Sequence, residues 1–169
     1  MYKLLRNILF WFDAEKVHYF SMNFLKLVCK IGFIKKKISK KFTPKDIPVN
    51  AFGFIFKNPV GLAAGFDKNA KYLTELEAFG FGFVEIGTVT PLPQKGNDKP
   101  RLFRLSKDKA LINRMGFNNE GAKIIAKRLE NWRKKQLVMS NEQLAIDNNY
   151  KPQTTNYKLI IGATLVKIR

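Results

Sequence analysis

Two short apolar runs flank a helical segment, and that order restricts the fold more than any other feature of the chain. Val60-Gly61-Leu62-Ala63-Ala64 and Phe83-Val84-Glu85-Ile86-Gly87-Thr88 are almost unbroken in apolar and small residues. This is the pattern of strands covered on both faces in a parallel sheet. The segment between them, about 69–80, reads as a helix. Strand, helix, strand is a βαβ unit, which argues for an α/β sheet or barrel. Leu159-Ile160-Ile161-Gly162-Ala163 is a third such run. The chain has 169 residues, enough for one domain or a domain with an appendage. It is too short to close a (β/α)8 barrel, which takes ~250 residues and at least ~200.

Around this unit, Pro44 and Pro48 punctuate a linker. Val49 to Lys57 reads as a hairpin turning near Gly53, and Arg101 to Ile112 as a second. A helix is expected at about 119–136, and residues 137–157, polar and Asn-rich, read as a loop. Ahead of the linker, residues 2–12 and roughly 14–31 read as two short amphipathic helices. Asp13 is placed to cap the second, and Gly32 to stop it. Val17, Phe20, Phe24, Leu27, Val28 and Ile31 fall at helical spacing, with Lys16, Lys26 and Lys30 on the other face. Aromatic apolar faces beside lysines suit a helix lying in a membrane interface, and equally one that packs on the rest of the protein.

The formal charge is +18. It divides as +8 over residues 1–50, 0 over 51–100 and +10 over 101–169. Lysine outnumbers arginine 24 to 7, so part of the excess fits lysine-rich codon usage. The cluster Lys35, Lys36, Lys37, Lys40 and Lys41 directly follows the apolar helices, and clustered cations attract anionic surfaces, lipid or nucleic acid. A basic nucleic-acid-binding module is therefore the alternative reading, disfavoured because the specific motifs lie in the neutral middle third. Cys29 is the single cysteine, which excludes an intrachain disulfide and a cysteine-based zinc site; no metal site is expected. No apolar run approaches the ~20 residues of a membrane span.

Two segments carry chemistry. In Ala63-Ala64-Gly65-Phe66-Asp67-Lys68, small residues follow a strand and a lysine stands where α/β folds place ligands, at the C-terminal strand end. Asn113-Arg114-Met115-Gly116-Phe117-Asn118-Asn119 offers three amides, each able to donate and accept towards a planar imide-like ring. Taken singly, the first is also a tight turn with a surface lysine, and the second an Asn-rich turn capping a helix.

Taken together, these segments resemble the dihydroorotate dehydrogenases, and within them the quinone-dependent, membrane-associated class 2. The matching stretches are Lys57 to Lys68, Phe79 to Gly82 with Glu85 to Pro91, Gly96-Asn97-Asp98-Lys99-Pro100-Arg101-Leu102-Phe103-Arg104-Leu105, and Leu111 to Asn119. Asp13-Ala14-Glu15-Lys16-Val17-His18 is similar to the helical extension of that class. The resemblance implies an α/β fold, an incomplete TIM (β/α)8 barrel of two to three βα units, with an N-terminal two-helix membrane-associating extension. Residues 1–42 would form the extension and 43–169 the barrel part. It implies oxidation of dihydroorotate to orotate in pyrimidine synthesis, with FMN as cofactor and ubiquinone or menaquinone as acceptor. It also implies peripheral association of residues 1–42 with the anionic, cytoplasmic side of a bacterial inner membrane, and no nucleic acid partner. Carried over by position, Ala64, Gly65, Phe66, Asp67, Lys68 and Thr88 would meet FMN. Lys68, Asn113, Arg114, Met115, Gly116 and Phe117 would hold the substrate, and His18 and Arg104 would face the quinone.

The family's catalytic serine has no counterpart in these 169 residues. At the third strand the family reads Gly-Ala-Asn-Ile-Gly-Lys-Asn-Lys, where this chain reads Gly162-Ala163-Thr164-Leu165-Val166-Lys167-Ile168-Arg169. One coding of the family's last six residues turns into the observed six on loss of a single adenine. The expectation is therefore a frameshift near residue 164 in a truncated gene, and a polypeptide that alone neither retains FMN nor turns over dihydroorotate. Sequencing the locus downstream decides it: an intact frame with no barrel-coding sequence in any other would refute the shift.

Overall fold

The computed structural model describes residues 2–44, 47–146 and 159–165. Its centre is a three-stranded parallel sheet in which β4 (Phe83–Val89) lies between β3 (Gly61–Leu62) and β7 (Ile160–Leu165). The expected βαβ order therefore holds, and the third apolar run joins the same sheet in parallel. The register pairs Gly61 with Phe83 on one side of β4, and Phe83 with Ile160 through Ile86 with Ala163 on the other. Val84 and Ile86 point to one face and are wholly buried. There they meet α4 (Leu73–Ala78) through Leu73 and Leu76, and α5 (Ala122–Ile146) through Ile125 and Trp132, in one continuous core. Enclosing an aliphatic side chain of this size contributes about 1.5–3 kcal/mol. Phe83 and Glu85 point to the opposite face, where Phe54, Phe56 and Ile160 line an open apolar cleft.

The first hairpin forms from β1 (Val49–Ala51) and β2 (Phe54–Phe56), antiparallel, with Phe52 and Gly53 both at positive φ in its turn. That is the turn whose twist matches paired strands. The second hairpin forms from β5 (Leu102–Leu105) and β6 (Ala110–Asn113). Gly82 has no room for a side chain: a Cβ there would stand 2.0 Å from the Asn58 carbonyl oxygen. The buried Asn58 side chain donates to the Gly80 carbonyl at 2.9 Å and accepts from the Val60 amide at 3.0 Å. It thereby ties the entries of both parallel strands.

Three expectations are corrected. The N-terminal extension has three helices, not two: α1 (Tyr2–Leu9), α2 (Ala14–Cys29) and α3 (Gly32–Phe42). α2 ends at Cys29, short of the expected stop at Gly32, and Gly32 opens α3, whose Ile34, Ile38 and Phe42 recur every four residues inside the lysine run. Phe42 meets the Phe79 ring at 5.0 Å. Second, residues 137–146 continue α5, since no Gly or Pro interrupts residues 122–151; the rest of the expected loop lies outside the described residues. Third, the first strand and helix are shorter than expected, because residues 63–72 form a turn with its own hydrogen bonds. Asp13 caps α2 as expected, accepting the Lys16 amide at 2.8 Å.

The face of α2 that packs is not the apolar stripe. Glu15, Met22 and Cys29, seven residues apart, are the buried positions, and Met22 joins the sheet's own core. Phe20, Phe24, Leu27 and Ile31 stay more than half exposed, as do Leu4, Leu5, Trp11 and Phe12.

Candidate functional site

The C-terminal ends of β3 and β4 open under α2. Asp67 fixes the turn after β3: its carboxylate, 3% exposed, accepts the Lys71 amide at 2.9 Å and the Tyr72 amide at 2.8 Å. This holds the neighbouring Lys68 side chain across the sheet mouth. Lys68 Nζ donates to the Gly116 carbonyl at 2.9 Å and to Asn118 Oδ1 at 2.7 Å. The two segments singled out in the sequence, 48 residues apart, are thus joined through one ammonium. Burial first, and the Arg101 cation second, push the Lys68 pKa down from its ordinary value. A nearby anion would relieve both effects.

A cleft of about 380 Å³ brings together His18, Gly65, Phe66, Asp67, Lys68, Arg104, Asn113 and Met115. His18 meets the Phe66 ring edge-on at 4.9 Å. Its pKa is lowered, chiefly by burial and against the opposing pull of Asp67, so the imidazole is neutral at pH 7. Arg104 donates to the Phe12 carbonyl at 2.6 Å and stacks on the Phe10 ring at 4.6 Å. That contact links β5 to the end of α1. Met115 is buried; its amide donates to Asn113 Oδ1 at 3.0 Å, which leaves the Asn113 amide nitrogen as the group free to donate. Ala64 is exposed at the strand end and Thr88 half-buried near the end of β4, neither of them lining this cleft. Arg114 turns away towards the Pro100 carbonyl at 3.4 Å. Phe117 is exposed, and its carbonyl accepts from the Asn119 side chain at 2.6 Å. Gly116, at φ +69, contributes its carbonyl to Lys68.

Gly65, at φ +100, has no atom within 4 Å of where a Cβ would stand. Its amide is taken by the Gly87 carbonyl at 3.0 Å, so what Gly65 offers is open space beside exposed Ala63 and Ala64. A flat ring system fits such a strand mouth. Among the described residues, no three His, Cys, Asp or Glu side chains converge as a metal site would require.

Four contributors carry no strong local signal in sequence. Asn118 completes the Lys68 cradle. Glu15 on α2 receives both Arg101 Nε at 3.0 Å and Nη2 at 2.7 Å, and both residues are buried. Asn97 donates through Nδ2 to the Arg114 carbonyl at 2.6 Å. Asn118 lay inside a recognisable amide-rich segment, but an ion pair bridging 86 residues could be found only from the fold.

Fold and site define an α/β protein that gathers a cation and amides at the mouth of a parallel sheet, roofed by a helical cap, as suits a small planar anion. Residues 47–163 match the model of the family described as dihydroorotate dehydrogenase. A dihydroorotate dehydrogenase (quinone) from Christiangramia forsetii is 58% identical over 133 residues, which is 77% of this chain and 39% of that relative. One from Marinobacter nauticus is 53% identical over 121 residues, 72% of this chain and 35% of its own length. A crystal structure of the Eimeria tenella DHODH in complex with ferulenol aligns at a TM-score of 0.56 with 38% identity, covering 80% of this chain and 34% of the other. The ligand-free type from the same organism aligns at 0.57 with 34% identity, covering 88% and 37%. The chain belongs to the dihydroorotate dehydrogenase family. It spans 35–39% of the length of these curated relatives.

Proposed function

We propose that this chain is the N-terminal part of a quinone-dependent dihydroorotate dehydrogenase, with residues 1–42 as a membrane-associating helical domain and 43–169 as the first part of a (β/α)8 barrel. The observation that carries the reading is the convergence of Lys68 with the 113–118 segment at the C-terminal mouth of a parallel sheet. FMN, fitting the open ground beside Ala64, Gly65 and Thr88, would supply the acceptor for the substrate's hydride and hand the electrons to ubiquinone or menaquinone.

The chain's own residues bind and orient. The Lys68 ammonium neutralises the substrate carboxylate, and Gly116 and Asn118 fix its direction. The Asn113 amide nitrogen donates to a ring carbonyl, while Met115 excludes water from beneath. On the side of α2, neutral His18 and Phe66 offer an uncharged surface to a quinone ring, with the Arg104 cation in the same cleft. Outside this cleft, the stripe of Phe20, Phe24, Leu27 and Ile31, flanked by Lys16, Lys26 and Lys30, supports peripheral binding to anionic lipid. No helix among the described residues is long and apolar enough to cross a membrane.

The test is a chimera in which residues 1–163 replace the matching part of the Christiangramia forsetii relative, expressed in a bacterium lacking the enzyme. Growth without added pyrimidine is expected, and its loss on Lys68→Met. A folded, flavin-loaded chimera that binds no orotate and supports no growth would overturn the reading.

A further inference from the structure

A chain of hydrogen bonds joins the helical extension to the 113–117 loop. It starts at Glu15, whose two carboxylate oxygens take the forked Nε and Nη2 of Arg101. The remaining nitrogen, Nη1, donates to the Lys95 carbonyl at 2.8 Å and the Asn97 carbonyl at 3.0 Å. Asn97 then grips the loop twice: Nδ2 donates to the Arg114 carbonyl at 2.6 Å, and its backbone amide donates to the Met115 carbonyl at 3.1 Å. The Arg114 amide returns to the Arg101 carbonyl at 2.9 Å. Gly96, between the two anchor points, approaches so closely that a Cβ would stand 2.3 Å from the Met115 carbonyl oxygen. The next carbonyl along, that of Gly116, holds Lys68.

We infer that Glu15 and Arg101 are positioning residues that couple docking of the helical extension to the conformation of the 113–117 loop. A guanidinium is required, because only its planar fork satisfies one carboxylate and two carbonyls at once. Burial makes the coupling strong: losing one partner leaves an uncompensated charge in a dry site. Lys99, 3.4 Å from Glu15 but 65% exposed, cannot replace it. A mere staple would hold α2 down and leave the loop indifferent. Here the same guanidinium that grips α2 also sets the 95–97 turn on which the loop rests. That the loop holds substrate rests on the function proposed above; the coupling does not, and can be read without flavin, substrate or turnover.

The experiment is residue-resolved amide exchange on the full chain at low denaturant. In the unsubstituted chain, the amides of Asn97, Arg114 and mid-α2 are expected to open together with equal free energies, as one cooperative unit. Unequal values would overturn the coupling. In Arg101→Lys, which keeps a charge opposite Glu15 but loses the fork, exchange at Asn97, Arg114 and Met115 is expected to quicken on the order of ten-fold or more. Gly82 and Ala122, held by Val60 and Thr90 carbonyls, serve as controls and should not change. Quickening of the controls to the same degree, or of α2 alone, would refute the assignment. The measurement on the unsubstituted chain stands even if the variant fails to fold.

Discussion

Asp67 is the sharpest place to test how the site is held. The carboxylate is 3% exposed, and its two oxygens accept the Lys71 and Tyr72 amides at 2.9 and 2.8 Å. Tyr72 itself is 3% exposed in the core, with its hydroxyl on Asn23 of α2 at 3.0 Å. Asp67→Ala removes two hydrogen bonds to a charged acceptor, each contributing about 1.5–3 kcal/mol, and leaves two amide donors without a partner. The cost of burying the carboxylate offsets part of this, so the expected loss is about 3 kcal/mol. Asp67→Asn keeps one acceptor oxygen for one of the amides, and its expected loss is about half as large. In a chain of this size 1 kcal/mol corresponds to about 2–4 °C in Tm. The alanine variant should therefore melt about 6–12 °C lower, and the asparagine variant about 3–6 °C lower. Urea and thermal unfolding followed by far-UV circular dichroism measure both. An alanine variant within about 0.5 kcal/mol of its parent, the range of neutral surface changes, would refute the structural role of the carboxylate. An asparagine variant as damaged as alanine would refute the division between the two hydrogen bonds.

Three further outcomes follow from the same geometry. The Arg101 hydrogen bonds hold the Glu15 carboxyl below its ordinary value of 4.5; its contribution to stability is present above that value and is lost as pH falls through the depressed folded value. Acid titration of stability should therefore flatten in Glu15→Gln, and an unchanged acid limb would count against the pair. Gly82→Ala drives a Cβ into the Asn58 backbone and should cost more than about 2 kcal/mol, read by urea unfolding; a neutral result would contradict the close approach. The full chain should co-sediment with anionic vesicles and not with neutral ones. The double substitution Phe24→Asp, Leu27→Asp, on an exposed face, should abolish binding without lowering Tm; persistent binding would disown that stripe.

What could be read from sequence divides by physical cause. The βαβ order was readable because strands of a parallel sheet are apolar or small along most of their length, a local pattern that β4 and β7 both show. The hairpin turn at Phe52-Gly53 was readable because positive φ recruits glycine. α3 was missed because five lysines dominate its composition, while Ile34, Ile38 and Phe42 supply the packing; the eye follows charge, and the helix follows the apolar period. For α2 the sequence left open whether the apolar stripe packs or faces a membrane. Phe20, Phe24 and Leu27 form its most apolar stripe, yet that stripe faces outward, and Glu15, Met22 and Cys29 face the protein. A carboxylate on the inward face makes no sense until Arg101 is brought to it from 86 residues away.

The site follows the same rule at finer grain. Lys68 and Asn113 were identifiable because their chemistry is written in residue type and setting. Their positioning was not, because it depends on backbone carbonyls: those of Gly116 for Lys68, and of Lys95 and Asn97 for Arg101. A carbonyl is present at every residue and carries no sequence signature, so only the fold says which one is used. Asp67 makes the point from the other side. Its place beside Lys68 suggests a ligand contact, whereas its carboxylate turns inward to two amides. An acidic residue that looks like part of the chemistry thus serves to aim the lysine beside it, and substituting it separates aiming from binding.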